Sequence, residues 1–308
     1  MRRECHSIRQ VIVPNNSLAK VDVPVSSSGR SRKLRQLCRP PMDYNCPSGC
    51  RNNLMIINDT ESIEIQTPTG PMRTLISRPA APGKYPGIVL FSEIFQITGP
   101  IRRTAAQFAS NGFVVAVPEI YHEFEPAGCV LPYDEAGAKR GNDLKTAKPL
   151  KSYDTDARAV LDFLASSEYC TGKLGAVGIC IGGHLAFRTA MNSDVLATTC
   201  FYPTDIHKRG LGEGMNDDSL DRISEINGEL LMIFGRQDPH VPREGRAVIY
   251  NALTDADRHF TWHEFNAAHA FLRDEGPRYN AALAQICYWM ALELFKRKLG
   301  FGDIVEPV

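Results

Sequence analysis

The sequence lacks an excess of charge of either sign, and it lacks any long hydrophobic run. Its 308 residues contain 35 basic and 35 acidic side chains, which leaves no net charge. A chain without net positive charge is not strongly attracted to nucleic acid or to an anionic membrane surface. The longest apolar runs, residues 113–117 and 230–234, are far shorter than the roughly 20 residues of a membrane-spanning helix. We therefore expect no nucleic-acid partner and no membrane partner.

The cysteines do not form the even set that a secreted disulfide framework uses. Nine are present at irregular spacing, whereas disulfide-rich domains have an even number in a much shorter chain. We therefore expect a reducing compartment and free thiols. Cys38, Cys46 and Cys50 resemble a fragment of a metal site, but zinc sites usually need two spaced pairs. We interpret them as cysteines of an unstructured tail and predict no metal.

The neutral total conceals an uneven distribution of charge along the chain. Residues 1–40 contain nine Lys/Arg and two Asp/Glu, so this segment carries +7 and the other 268 residues carry −7. The basic, serine-containing start lacks the apolar stretch of a secretory signal. It is compatible with an organellar transit peptide and equally with a disordered extension. Residues 1–58 are therefore predicted to be an extension, and the location to be cytoplasmic or, alternatively, organellar (mitochondrion or plastid).

From about residue 60, segments of strand length alternate with segments of helix length. Residues 87–91 and 113–117 are continuous apolar runs, typical of strands buried on both faces. Residues 122–150 are predicted to be irregular. The remaining strands are predicted at 62–67, 72–77, 174–177, 195–202, 229–234 and 260–265, and helices at 100–110, 154–166, 184–192, 242–253 and 277–298. This alternation predicts one α/β domain over residues 59–300, with a mostly parallel sheet covered by helices on both faces and a tail at 301–308.

One motif in this pattern is typical of a nucleophile. Gly178-Ile179-Cys180-Ile181-Gly182-Gly183 lies between a predicted strand and a predicted helix, which is the placement of a nucleophile elbow. The tight turn needs neighbours without side chains. A helix N-terminus behind the sulfur favours the thiolate and offers N–H groups to an oxyanion. Cys180 is the candidate nucleophile, with the Ile181 N–H as an oxyanion donor; the alternative is a buried cysteine in a glycine-rich turn.

A cysteine nucleophile needs a base, and the base needs a group that orients it. Asp238 and His269 follow Cys180 in the order nucleophile, acid, histidine that this kind of elbow uses. Each comes directly after a predicted strand. Alone, Asp238 is a turn former before proline and His269 a solvated loop histidine; together they predict a triad with Cys180. His184 lies inside the helix after the elbow and is expected to pack or cap.

Three further charged residues attract notice through their positions. Glu93 follows the strand at 87–91, and Arg273 comes four residues after His269. Arg140 lies in the stretch 122–150, where a cap over the site would be placed. Taken singly, Glu93 is an exposed loop acid and both arginines are solvated charges.

Four separated motifs together resemble the dienelactone hydrolase (carboxymethylenebutenolidase) family, with its α/β-hydrolase fold. They are Ser92-Glu93-Ile94-Phe95, the cysteine elbow, the segment 237–242 (QDPHVP), and Ala268-His269-Ala270-Phe271-x-Arg273. The resemblance implies a Cys180-His269-Asp238 triad that opens a lactone or ester through a thioester. It implies that Glu93 holds the resting thiol and takes its proton, and that the Ile94 N–H is the second oxyanion donor. It also implies that Arg273 and, by a weaker match, Arg140 bind a substrate carboxylate.

The resemblance implies no cofactor, a small-molecule lactone or ester substrate, and a monomer or weak homodimer. Other functions remain open at this point. They are a cysteine esterase or thioesterase for another acyl group, an amidase resembling glutamine amidotransferases, and a non-catalytic binding protein with the same fold. Amidotransferases usually have a glutamate two residues after the histidine, whereas Phe271 stands there in this chain. A binding protein would be free to lose the triad, and every member is present.

Overall fold

A computed structural model describes residues 56–304 of the chain. The predictions for most of the extension and for Cys38, Cys46 and Cys50 therefore lie outside the described residues. The strands are β1 (Ile57–Thr67), β2 (Gly70–Pro79), β3 (Gly83–Phe91), β4 (Val114–Pro118), β5 (Cys170–Ile179), β6 (Val195–Phe201), β7 (Glu229–Gly235), β8 (Phe260–Phe265) and β9 (Asp303–Ile304). The helices are α1 (Gly99–Ala109), α2 (Glu135–Ala147), α3 (Leu150–Ser166), α4 (Ile181–Thr189), α5 (Arg243–Asp255) and α6 (Ala281–Leu299).

The strands form one sheet in the order β1-β2-β4-β3-β5-β6-β7-β8, and β9 pairs with β3. β2 is antiparallel to β1 and to β4, whereas β4, β3, β5, β6, β7 and β8 run parallel to one another. The predicted α/β-hydrolase architecture is confirmed. Because the parallel strands share one direction, their carboxyl ends all open at the same edge of the sheet.

Each face of the sheet is covered by its own group of helices, and β4 shows why. Successive side chains of a strand point to opposite faces, so Val114 and Ala116 join one apolar cluster while Val115 and Val117 join the other. The first cluster contains residues of α3, α4 and α5, and the second contains residues of α1 and α6. A strand buried on both faces must be apolar throughout, which is the pattern read from residues 113–117.

The largest difference from the sequence expectation is α2, in the stretch predicted to be irregular. This helix buries only three residues, two of them glycines, so it has little of the apolar periodicity that marks a helix. The Asp134 side chain caps it by accepting a hydrogen bond from the Gly137 N–H at 2.8 Å. Cap chemistry and packing therefore decide this helix, and they place it near the carboxyl edge of the sheet.

The ends of other helices and strands differ from the predicted ends by a few residues. β1 begins at Ile57, inside the predicted extension, and β9 lies in the predicted tail. The final helix begins at Ala281 instead of residue 277 because the Asn280 side chain caps it, accepting from the Leu283 N–H. Across residues 56–304, no helix combines the length and the apolar character required to cross a bilayer.

Candidate active site

The predicted site residues come from four strand ends that the sheet order brings together. Glu93 follows β3, Cys180 follows β5, Asp238 follows β7, and His269 follows β8. Since β3, β5, β6, β7 and β8 are consecutive neighbours in the sheet, residues far apart in sequence meet at one edge. This edge is where ligands bind in open α/β sheets.

Cys180 has the backbone geometry of a strained turn. Its φ is 62° and its ψ is −121°, a conformation that costs free energy for a residue with a side chain. The flanking glycines make the turn feasible, because a Cβ on Gly178 would collide with the Gly182 carbonyl and a Cβ on Gly182 with the Phe91 carbonyl. The strand and the helix thus approach too closely for any other residue at these two positions.

The candidate oxyanion donors are the backbone N–H groups of Ile181 and Ile94. Ile181 is the first residue of α4, where backbone N–H groups have no partner within the helix. Among the described residues, neither its N–H nor that of Ile94 donates a hydrogen bond within the chain. A Cβ on Gly141 of α2 would lie 2.5 Å from the Ile94 carbonyl oxygen. The packing of α2 at a glycine therefore helps to define where the Ile94 peptide lies.

Asp238 and His269 form a short, buried hydrogen bond. His269 Nδ1 lies 2.6 Å from Asp238 Oδ2, and the two residues are 6% and 3% exposed. The other Asp238 oxygen accepts from the His240 backbone N–H at 2.8 Å. Burial acts to lower the pKa of His269, but the charge of Cys180 and the bond to Asp238 outweigh it and raise the pKa to about 10. The charge of Cys180 and the bond to Asp238 thus both favour the protonated imidazole.

Glu93 is buried, and it faces cations and a tyrosine rather than the thiol. Its Oε2 lies 3.8 Å from Arg273 Nη1 and accepts a 3.4 Å hydrogen bond from the Tyr133 hydroxyl. Burial raises the pKa of Glu93, against the opposite effect of Arg273, His269 and Tyr133. No hydrogen bond joins Glu93 to Cys180 within residues 56–304. Arg273 and Tyr133 thus contact the carboxylate, and the role of Glu93 at the thiol stays a prediction.

The two predicted arginines have different surroundings. Arg273 has a side chain that is only 12% exposed, and its Nε is buried without a partner among the described residues. Arg140 lies on α2 with a side chain that is 49% exposed, and its Nε donates to Glu125 at 2.6 Å. The buried cation of α2 is instead Lys145, whose Nζ lies 2.7 Å from Asp205 Oδ2. The structure brings Arg273 to the group around Glu93 and leaves Arg140 in a surface ion pair.

Two aromatic residues that the motifs did not single out also contact the site. Tyr202, directly after β6, packs edge-on against the His269 ring with centroids 4.9 Å apart. Its place at a strand end was a usable signal. Tyr133 lies just before α2 and stacks against Arg273. No sequence signal marked Tyr133, because the stretch around it has no clear periodicity.

Among residues 56–304, one group of metal-ligating side chains lies within reach of a common ion, and a lysine already occupies it. Ligand atoms of His122, Glu123 and Asp156 lie within 4.8 Å of one another. The fully buried Lys148 ammonium donates to Glu123 Oε2 at 2.7 Å and to Asp156 Oδ2 at 2.5 Å. A cation of the protein itself thus takes the place that a metal ion would need.

The segment that contains these residues matches a known family. The model of the dienelactone hydrolase family covers residues 72–299, more than half of the chain. This chain belongs to the dienelactone hydrolase family. It is 44% identical over 266 residues to a putative carboxymethylenebutenolidase of Saccharomyces cerevisiae, covering 82% of this chain and 97% of that protein. It is 27% identical to a carboxymethylenebutenolidase of Pseudomonas sp. strain P51, covering 73% and 90%.

Solved structures agree with the fold of this dienelactone hydrolase family member. The crystal structure of a putative dienelactone hydrolase from Klebsiella pneumoniae superposes with a TM-score of 0.67 at 21% identity, covering 79% of this chain and 98% of that one. At this identity the likeness concerns the fold alone. Family membership makes the chain a hydrolase that acts on esters or lactones, and the resemblance stated from its motifs is confirmed.

Proposed function

We propose that Cys180 is the nucleophile of a Cys-His-Asp triad that hydrolyses a lactone or ester through a thioester intermediate. The observation that carries the proposal is a strained cysteine at a helix N-terminus beside a buried His269–Asp238 hydrogen bond. The raised pKa of His269, to about 10, supports an imidazole that accepts the proton of Cys180 as the sulfur attacks. Such a base activates the nucleophile within the site.

In the first half of the proposed reaction, Cys180 Sγ attacks the carbonyl carbon and the carbonyl electron pair moves to the oxygen. The N–H groups of Ile181 and Ile94 are proposed to stabilise that oxyanion, since neither has a partner within the described chain. The C–O bond to the leaving oxygen then breaks, and the His269 imidazolium donates its proton to that oxygen. Asp238 keeps the imidazole oriented throughout, as the 2.6 Å bond supports.

In the second half, water attacks the thioester carbonyl while neutral His269 takes one of its protons. The tetrahedral intermediate collapses, the C–S bond breaks, and His269 returns its proton to the Cys180 sulfur. A lactone that already carries a carboxylate leaves as a dicarboxylic acid. The chemistry balances with water as the only co-reactant, so the proposal includes no cofactor.

The substrate is proposed to carry a carboxylate close to the scissile bond. Arg273 is a buried guanidinium with an unpartnered Nε, and guanidinium groups recognise carboxylates by paired hydrogen bonds. Glu93 is proposed as an auxiliary acceptor for the thiol proton, supported by its burial and its raised pKa. That role requires its carboxylate to turn from Arg273 towards Sγ when substrate claims the arginine. Arg140 stays a weaker candidate for a second carboxylate contact.

The decisive test replaces the nucleophile. We expect Cys180→Ala to lower kcat for a dienelactone or an activated ester by at least about 10³-fold, the scale seen when a covalent nucleophile is lost. Cys129→Ala is the matched control, since Cys129 is another partly exposed free thiol in the same domain. Trapping a thioester on Cys180 by mass spectrometry would support the intermediate. Full activity in Cys180→Ala would rule out the proposed mechanism.

A further inference from the structure

Two aromatic rings lie against the Arg273 guanidinium. The guanidinium carbon lies 4.3 Å from the centroid of the Tyr133 ring and 5.6 Å from that of Phe95. The two rings pack edge to face with centroids 4.7 Å apart. A cation over an aromatic face is stabilised most when it is desolvated, and Arg273 is largely buried.

This aromatic contact replaces the hydrogen bonds that a buried arginine usually makes. Among the described residues no side chain or carbonyl accepts a hydrogen bond from the Arg273 guanidinium; the nearest carboxylate atom is Glu93 Oε2, 3.8 Å from Nη1. The rings can fix the plane of the guanidinium and leave its N–H edge free. A free edge in a fixed plane is the arrangement that a carboxylate ligand needs for paired bonds.

Tyr133 is itself held in place at its hydroxyl. The oxygen lies 2.7 Å from Thr98 Oγ1 and donates to Glu93 Oε2 at 3.4 Å. Tyr133 therefore contacts both buried charges, Arg273 with its ring and Glu93 with its hydroxyl. It also lies directly before the Asp134 cap of α2, so the position of the ring depends on that helix.

We propose that Tyr133 is a positioning residue, which aligns Arg273 for a substrate carboxylate and so makes the site selective for anionic substrates. The inference rests on the proposed function, since it assumes that Cys180 and Arg273 serve one substrate. Tyr133 acts through Arg273 and touches no reacting atom. Replacing its ring should therefore change the preference for a carboxylate more than the chemistry at the sulfur.

The test compares the alkylation of Cys180 by iodoacetate and by iodoacetamide, with the modified peptide quantified by mass spectrometry. The two reagents differ in a carboxylate. The ratio of the iodoacetate rate to the iodoacetamide rate does not depend on how much of the thiol is ionised, because both reagents react with the thiolate. In the wild type we expect this ratio to exceed that of a free thiol. Tyr133→Leu should lower it about five- to tenfold, as expected for the loss of a desolvated cation–π contact. Tyr250→Leu, which removes an exposed tyrosine of α5, should leave it unchanged.

Two further variants separate positioning from damage to the fold. Tyr133→Phe keeps the ring and should lower the ratio only about twofold, the effect of one weak hydrogen bond; it tests the hydroxyl even if the leucine variant fails to fold. Arg273→Ala should lower the ratio at least as much as Tyr133→Leu, and adding Tyr133→Leu to it should have no further effect. An unchanged ratio in Tyr133→Leu, or an equal further loss in the double variant, would overturn the inference.

The same experiment distinguishes this inference from the proposed function. Ester hydrolysis that disappears in Cys180→Ala, together with a wild-type alkylation ratio in Tyr133→Leu, leaves the triad in place and removes the role of Tyr133. Hydrolysis that survives in Cys180→Ala removes the triad instead, whereas the alkylation ratio still reports whether Tyr133 aligns Arg273. The kinetic counterpart is KM, which Tyr133→Leu should raise for a carboxylate-bearing ester and leave within about twofold for a neutral ester.

Discussion

Two buried clusters in this molecule contain a histidine, an aspartate and a side chain with nucleophilic chemistry. In the first, His269 bonds Asp238 at 2.6 Å and lies beside Cys180. In the second, His184 Nε2 lies 2.8 Å from Ser219 Oγ and 3.4 Å from Asp217 Oδ1. His184 is the fourth residue of α4, so it lies one turn beyond the elbow. Residue types alone do not separate the two groups.

The difference lies in how each histidine distributes its two ring nitrogens between its partners. His269 bonds Asp238 with one nitrogen, which leaves the other for Cys180. His184 turns the same nitrogen towards both partners, and its Nδ1 is buried with no partner in the described part of the chain. The Ser219 hydroxyl is also bonded by Arg188 Nη1 at 2.9 Å. His184, Asp217 and Ser219 are all 0% exposed, so no substrate reaches them.

The two side chains with nucleophilic chemistry, Cys180 and Ser219, also have different environments. Cys180 lies on a strained turn before a helix, next to the Ile181 N–H, which has no partner among the described residues. Ser219 lies in a loop two residues after Asp217. The two carboxylate oxygens of Asp217 accept hydrogen bonds from the N–H groups of Leu211 and of Ser219 itself. The second cluster therefore ties a loop to α4 and stabilises the fold. A site needs a nucleophile that a substrate can reach, and of the two clusters only the first contains a partly exposed one.

The largest effect expected from this comparison comes from matched substitutions of the two aspartates. Asp238→Asn should lower kcat for ester hydrolysis by about 10³- to 10⁴-fold, because an amide no longer selects the imidazole tautomer that serves the nucleophile. Asp217→Asn should leave kcat within about threefold and lower the free energy of unfolding by roughly 1–3 kcal/mol, the cost of mispaired buried polar groups. Steady-state kinetics and urea unfolding of both variants measure the contrast. Equal loss of kcat in the two would remove the distinction between the clusters.

The pH dependence of stability should distinguish the clusters at the alkaline end. The pKa of His269 is raised from 6.5 to about 10, so its contribution is complete below pH 6.5 and is lost as the pH rises through 10. We expect the free energy of unfolding to fall over that window. Cys180→Ala removes the charge that raises this pKa and should flatten the decline. Urea titrations at pH 6, 8 and 10 test this, and an equally steep decline in both proteins would contradict it.

The smallest expected effect concerns the arginines, which differ in whether their N–H groups already donate to a carboxylate. Arg188 donates to Asp154 through Nε and Nη2 at 2.8 and 2.7 Å, and Arg140 has its own surface partner in Glu125. We expect Arg140→Ala to change KM for a carboxylate-bearing ester by less than about twofold, since exposed ion pairs contribute little. A larger rise, confined to anionic substrates, would return Arg140 to the role that the motif resemblance implies.

Much of the fold and the core of the site could be predicted because both depend on local patterns. Strands buried on two faces must be apolar throughout, and β4 and β7 satisfy that requirement with all or nearly all of their residues buried. The elbow at Cys180 needs glycines because backbone atoms lie where side chains would be. Such requirements restrict the residue types within a short stretch of chain, so the sequence alone reveals them.

Other features left no local signature. α2 buries two glycines and a leucine, and its helical state depends on a cap and on close packing against the Ile94 peptide. The resting position of Glu93 depends on Arg273 and Tyr133, which are 180 and 40 residues away in the chain. The burial of Lys145 in place of Arg140 depends on which face of α2 meets the body of the domain. Each is a contact between elements that the sequence pattern treats separately.

The sequence by itself determined the α/β order of elements, the cysteine elbow, and the succession of Cys180, Asp238 and His269 at strand ends. These follow from hydrophobic periodicity and from steric limits on the backbone, which act over short stretches of chain. Only the tertiary structure decided which histidine divides its two nitrogens between an aspartate and a cysteine, which of the two predicted arginines has an unpartnered Nε, and where Glu93 rests. Those properties depend on the partners and burial that each polar group finds, and distant segments supply both.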